Sequence, residues 1–356
     1  MLKHVDFSSK LWYNGRIKSK PRRKPLMIEK SEQLVDVKEN AIATLDPKIL
    51  RILLKDKTTR QNIIWATDDY VSLGEQYASD QQITVKSITG SNGNVIRPRI
   101  EKSKDEQTSR VRNKAEVFTP SWVCNKQNNL VDAAWFGREN VFNTETENGW
   151  VHTTEKITFP EGKTWQDYVA ANRLEISCGE APYLVSRYDT VTGEPISVER
   201  RIGLLDRKLR VVCENCDSEQ EWVAWAKKAV QSVYGYDWQG DNVLLARENL
   251  LYTFADYYEY KFTVPAIPPY LAEIAKILAW NIWQMDGIKF VVPNSCYAEA
   301  DQQLNLFGYV VTTACPGCTT GDHSRHNGIY ARTYDWVDQH SVIFRSFIDP
   351  KFRRKK

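Results

Sequence analysis

The 356-residue sequence contains no apolar run approaching the roughly 18 residues that a membrane-spanning helix needs. Its opening stretch, MLKHVDFSSKLWYNG, lacks the apolar core of a secretory signal. Cysteine is sparse and odd in number, seven in all, which fits reduced thiols or metal ligands better than the disulfide framework of a secreted protein. Together these absences predict a cytoplasmic protein with no membrane partner. Charge of one sign is not in excess either: 48 Lys and Arg face 45 Asp and Glu, for a net charge of +3. The overall balance therefore gives no sign of a polyanionic partner. No internal repeat is visible, and no glycine-rich phosphate loop.

Hydrophobic residues make up 42% and charged residues 26%, the composition of an ordinary globular protein. The 12 Trp and 17 Tyr suggest surfaces that stack on flat groups, besides a well-filled core. Basic residues gather locally, in KSKPRRKP (18–25) and KFRRKK (351–356), where they suit phosphate contacts. Three segments are expected: residues 1–110 as an N-terminal α+β region, 111–297 as a catalytic domain, and 298–356 as a small Cys/His module with a basic tail. Within the first, residues 61–77 read as a buried strand, a turn and a short helix, and residues 80–115 as an exposed arm. From residue 116, strand-like and helical runs alternate, which predicts an α/β fold with a largely parallel sheet. Helices are expected over 218–236, 242–262 and 270–285, and a short strand over 288–295.

In LEISCGEAPYL (174–184) a strand ends in a small-residue turn and gives way to helical spacing, the place where α/β proteins hold a ligand. The strand puts Glu175 near its carboxyl end, and Gly179 lets backbone approach the ligand. A single glycine between Glu175 and Glu180 repels phosphate and suits a cationic ligand. S-adenosylmethionine, with its ammonium and sulfonium, fits this turn better than NAD or ATP.

These residues resemble motif I of the amino-methylating DNA methyltransferases. Upstream, AEVFTPSWVCNKQNNLVD (115–132) resembles the FTP segment that precedes motif I in the gamma class, which includes modification subunits of restriction systems. The resemblance implies a Rossmann-like, S-adenosylmethionine-dependent fold and adenine-N6 methylation of DNA, in a bacterial restriction–modification or phage context. It also implies a cofactor site. Phe118, Thr119 and Pro120 would pack over the methionine end, Glu175 would face the ammonium, and Cys178 and Gly179 would form the turn. Asp206, in RIGLLDRKLRVV (201–212), would bind the ribose; Asp241, with Asn242, in YGYDWQGDNVLL (234–245), would accept from the adenine amine.

The family's fourth motif, Asn/Asp-Pro-Pro-Tyr/Phe, is absent. Its nearest counterpart is Ile267-Pro268-Pro269-Tyr270, in which Ile cannot accept from an amine. A second candidate is WNIWQMDG (280–287), which offers Asn281 with Trp283, Gln284 and Asp286. The catalytic candidates are thus Tyr270, Pro268, Pro269 and Asn281, with Tyr270 or Trp283 stacking a flipped base. The basic termini and the 96–114 arm would track DNA phosphates, and a separate specificity or restriction subunit would supply site recognition. A catalytically inactive partner subunit or DNA-binding scaffold is the alternative.

CPGCTTGDHSRHNG (315–328) contains a Cys-x2-Cys turn followed by two histidines, a spacing suited to structural zinc. Cys315 and Cys318 belong to every scheme. Cys296 and His326 are the preferred partners, with His323 and the second Cys-x2-Cys unit, Cys213 and Cys216, as alternatives. No His-x-Glu accompanies the cysteines, so a deaminase-type catalytic zinc is not expected.

Overall fold

A computed structural model of the chain describes residues 38–114, 119–304 and 310–349. All of them belong to one compact unit, Leu34–Lys356. The basic runs 18–25 and 351–356, and Phe118, lie outside the described residues.

The first part is helical: α1 (Glu39–Leu45), α2 (Pro47–Leu53), the single turn α3 (Val85–Ile88) and α4 (Lys104–Lys114). After α5 (Ser121–Phe136), the hairpin β1 (Asn143–Thr146) and β2 (Gly149–His152) and the short α6 (Trp165–Ala170) lead into the central sheet. There the chain runs β3 (Arg173–Ile176), α7 (Leu204–Asn215), α8 (Glu219–Gln231), β4 (Val233–Asp237), α9 (Gly240–Phe262), α10 (Pro268–Asn281) and β5 (Ile282–Gln284). Two hairpins follow, β6 (Glu299–Leu304) with β7 (Val310–Thr313) and β8 (Arg332–Asp335) with β9 (His340–Ile343). Between them lies α11 (Pro316–Thr320), and α12 (Arg345–Ile348) comes last.

The sheet has the order β3-β4-β5, and both pairings are parallel, with Glu175 opposite Gly235 and Tyr236 opposite Trp283. Parallel neighbours need long crossovers, which α7–α8 and α9–α10 supply. The alternation along β4 divides the interior. Val233 joins the large core with Leu209, Trp222, Phe254 and Leu278, while Tyr236 joins Trp283, Met285 and Phe344 in a smaller aromatic core on the other face. A groove of about 400 Å³ remains on that second face, bordered by Leu174, Ile176 and Tyr234. The molecule is a mixed α/β protein, as its alternating pattern implies. No described helix is long and apolar enough to cross a membrane.

Local chemistry explains where the elements begin. Ser218 caps α8 through the Glu221 amide (3.3 Å). Pro268 and Pro269 occupy the first turn of α10, where a missing N–H costs nothing. Five expectations need correction. The helix expected over 218–236 stops at Gln231, because the aromatic and β-branched Val233–Tyr236 pair better as the central strand. The helix expected over 270–285 ends at Asn281 and yields to β5. Residues 288–295 form only one bridge, Val291 to Tyr330, since Phe290 and Asn294 take positive φ (61° and 59°) and break any extended run. Residues 61–77 make isolated bridges and 3-10 turns instead of a strand and a helix. The arm expected to be exposed is partly buried: Lys102 is 6% and Arg110 5% exposed.

Candidate functional site

The carboxyl ends of the three parallel strands carry a ring of acids around a tight turn. β3 runs into Ser177, Gly179 and Ala181, all with positive φ (48°, 51° and 63°), not directly into a helix. The turn is fixed by the Cys178 amide donating to the Tyr236 carbonyl (2.9 Å) and the Ala181 amide to the Cys178 carbonyl (2.7 Å). A β-carbon placed on Gly179 would meet nothing within 4 Å, so this glycine faces open space. Its amide donates to Oδ2 of Asp237 at 2.9 Å.

Asp237 ends the central strand and is 8% exposed. Its carboxylate also accepts from the Gln239 amide (2.9 Å) and from Nδ2 of Asn242 (3.4 Å). Burial pushes its pKa up to about 6 against those donors. Glu175, equally buried, accepts from the amides of Tyr183 (3.4 Å) and Leu184 (3.2 Å). Burial holds it well above the usual carboxylate range, and Asp237 adds to the rise. Asp286 follows β5 and accepts from the amides of Ile288 (2.9 Å) and Lys289 (3.0 Å). At the head of α9, Oε1 of Gln239 and Oδ1 of Asn242 are buried with no hydrogen-bond partner. Buried acceptors of this kind call for a donor.

Two acids expected in the cofactor pocket have other tasks. Asp206 sits in the first turn of α7, fully buried, and not at the end of a strand. Its carboxylate accepts from the Ser186 amide (2.8 Å), the Ser186 hydroxyl (3.1 Å) and the Gly203 amide (3.1 Å). Asp241, in the first turn of α9, accepts from the Tyr70 hydroxyl (2.6 Å), Nζ of Lys102 (3.4 Å) and Nη2 of Arg110. Burial alone would raise its pKa, but Arg110 and Lys102 hold it well below the usual range. The acid that ends the second strand is Asp237. The arm also reaches the turn after β3, where the Arg99 amide donates to Oε1 of Glu180 (2.6 Å). The Thr119 carbonyl accepts from the Thr190 hydroxyl (3.1 Å), and Pro120 leads directly into α5, whose Ser121 amide donates to Asp189 (2.8 Å). Thr119 and Pro120 thus lie against the loop that follows the Gly179 turn.

The catalytic candidates are not in this ring. Tyr270 donates to Glu219 (3.1 Å) and packs on Tyr258 (6.0 Å between ring centroids). Tyr258 lies about 25 Å along α9 from Asp241 at the helical rise per residue. Pro268 and Pro269 serve as helix-start residues beside it. Asn281 is completely buried at the amino end of β5. Its amide donates to the carbonyls of Val230 (3.0 Å), Gln231 (3.1 Å) and Val233 (2.9 Å), and its oxygen accepts from Nε1 of Trp336 (2.7 Å). Such a residue ties α8 to β4 and has no free group for a substrate. Trp283 is a core ring, and Gln284 bonds both the amide (3.0 Å) and the carbonyl (2.8 Å) of Ile64.

The third feature is the Cys/His cluster. Cys296, Cys315, Cys318 and His326 bring their ligand atoms within 4.8 Å of one another, an arrangement that can hold a metal ion such as zinc. Nδ1 of His326 is 3.6 Å from Sγ of Cys296, 3.6 Å from Cys315 and 3.7 Å from Cys318. Burial and the neighbouring thiols push Cys296 up; in Cys315 burial is outweighed by amides, chiefly that of Asn327, which lower it. The alternatives fall elsewhere. His323 packs edge-on against Phe290 (5.6 Å), and Cys213 accepts from Nε1 of Trp222 (3.2 Å) at the end of α7, with Cys216 one residue past the helix.

No family model, curated protein or solved structure matches the chain.

Proposed function

We propose that this chain binds S-adenosylmethionine at the carboxyl edge of its parallel sheet, in a Rossmann-like methyltransferase fold, and serves adenine-N6 methylation of DNA in a restriction–modification or phage setting. The observation that carries the reading is the open Gly179 turn between the buried carboxylates of Glu175 and Asp237, with the unpartnered oxygens of Gln239 and Asn242 beside them. An acidic cup at a βαβ crossover suits a cationic, hydroxyl-bearing ligand and disfavours phosphate. In this reading Asp237, rather than Asp206, takes the ribose hydroxyls. Glu175 favours the ammonium, and Asn242 or Gln239 accepts from the adenine amine. The cofactor itself supplies the methyl group.

The test is calorimetry with S-adenosylmethionine on wild-type protein and on Asp237→Ala. Wild type is expected to bind, and the variant to bind at least about tenfold more weakly, the loss of one charged hydrogen-bonding partner. No heat from the wild type would overturn the proposal. Asp206→Ala is expected to destabilise the fold while the folded protein keeps its affinity.

A second reading is a cofactor-binding partner subunit or DNA-binding scaffold without catalysis. It is favoured by the distance of Tyr270 from the acidic cup and by the engagement of every polar atom of the Asn281 amide. Incubation with labelled cofactor and mixed-sequence DNA separates the two. N6-methyladenine in the product supports the enzyme, and binding without transfer supports the scaffold.

A further inference from the structure

We propose that Cys296, Cys315, Cys318 and His326 bind one zinc ion in a closed, four-coordinate site that fixes the loop leaving β5 against the chain entering β8. The geometry carries the proposal. A tetrahedron with zinc–sulfur bonds of about 2.3 Å and a zinc–nitrogen bond of about 2.0 Å has edges of roughly 3.5–3.8 Å. The three separations from Nδ1 of His326 to sulfur, 3.6, 3.6 and 3.7 Å, all fall in that range. One imidazole nitrogen has a single lone pair or a single proton, so it cannot hydrogen-bond three thiols at once. Three sulfurs equidistant from it surround a common centre instead.

The backbone is shaped for the same centre. A β-carbon on Gly317 would run into the ring and backbone of His326, and one on Gly328 would lie 3.0 Å from Sγ of Cys296. Both glycines are therefore required for the close approach of the ligands. The Asn327 amide points at Sγ of Cys315 (3.4 Å), as backbone amides do around zinc-bound thiolates. Three thiolates and one imidazole form a soft donor set that selects zinc over magnesium or calcium. All four positions are filled by protein, which leaves no place for a catalytic water and makes the ion structural.

What the ion would hold follows from the hydrogen bonds that run away from it. The Val292 amide donates to the Ile329 carbonyl (2.8 Å), the Ile329 amide to the Ser295 hydroxyl (3.0 Å), and the Ala331 amide to the Phe290 carbonyl (3.0 Å). The same loop starts at Asp286, whose amide donates to the Val291 carbonyl (2.8 Å). The cluster thus clamps the far end of a segment whose near end supplies the third acid at the edge of the sheet.

The experiment measures metal by plasma mass spectrometry on full-length protein purified under reducing conditions without chelator. One zinc per chain is expected. Cobalt substitution should give the visible bands of a tetrahedral thiolate site. Cys318→Ser, at an exposed position, should lose the ion, whereas His326→Cys, His323→Ala and Cys213→Ser should retain it. Wild type with neither zinc nor cobalt bands, or Cys318→Ser with a full equivalent of zinc, would overturn the proposal. Metal content is read without any cofactor, so this outcome is independent of the S-adenosylmethionine reading.

Discussion

Asp237 shows how one residue can be legible in type and misread in role. The segment around it reads as a cofactor motif from sequence, yet Asp241 draws attention because it stands in a Gly-Asp pair. In the fold Asp241 is consumed by Arg110, Lys102 and Tyr70, and Asp237 is the carboxylate at the strand end. Its pKa gives a test. An Asp raised from 3.8 to about 6 binds its proton more tightly folded than unfolded, so it makes the protein less stable as pH rises through that window. Asp206, also raised to about 6, acts in the same direction. Urea midpoints should therefore be higher near pH 5 than near pH 7, and Asp237→Asn should flatten that slope. A wild-type slope that Asp237→Asn leaves unchanged would show that the rise in pKa lies elsewhere.

Among the elements, β4 and β5 are the least readable from sequence. Each is short and follows a helix with almost no linker, so hydrophobic spacing continues across the junction and hides the change from a period of 3.6 to one of 2. What decides the break between α10 and β5 is Asn281, whose two amide protons are shared among three carbonyls at the end of α8 and the start of β4 and hold the two crossovers in register. Asn281→Ala leaves buried carbonyls and a tryptophan N–H without partners, and should cost roughly 2–4 kcal/mol of stability. Cofactor affinity of the folded variant should be unchanged. A variant of wild-type stability that fails only in methyl transfer would restore the catalytic role expected for this residue.

For the whole molecule, the notable contact is between the arm and the sheet. Lys102 and Arg110 reach Asp241 across 139 and 131 residues of sequence, and both ion pairs are buried. Composition marks that segment as an exposed, phosphate-tracking arm, because charged residues usually face water. Burial becomes tolerable only when a partner is already in place, and the partner lies more than a hundred residues away. Asp241→Asn leaves two buried cations facing a neutral group and should lower stability by about 3–5 kcal/mol. Amide exchange in α4 should rise with it. Protection of α4 unchanged in Asp241→Asn would mean that other contacts anchor the arm.

By itself, the sequence determined the alternation of strands and helices, the turn at Gly179 with its acidic neighbours, and the Cys315–Cys318 pair, since these depend on local spacing and on residue chemistry that no distant contact alters; the fold chose Cys296 and His326 to join that pair. Only the tertiary structure decided which carboxylates end strands, which are spent on ion pairs, and that Tyr270 and Asn281 belong to the scaffold. The reason is physical. A side chain's role at a buried site depends on which hydrogen-bond partners fill its atoms, and those partners come from segments that sequence order keeps far apart.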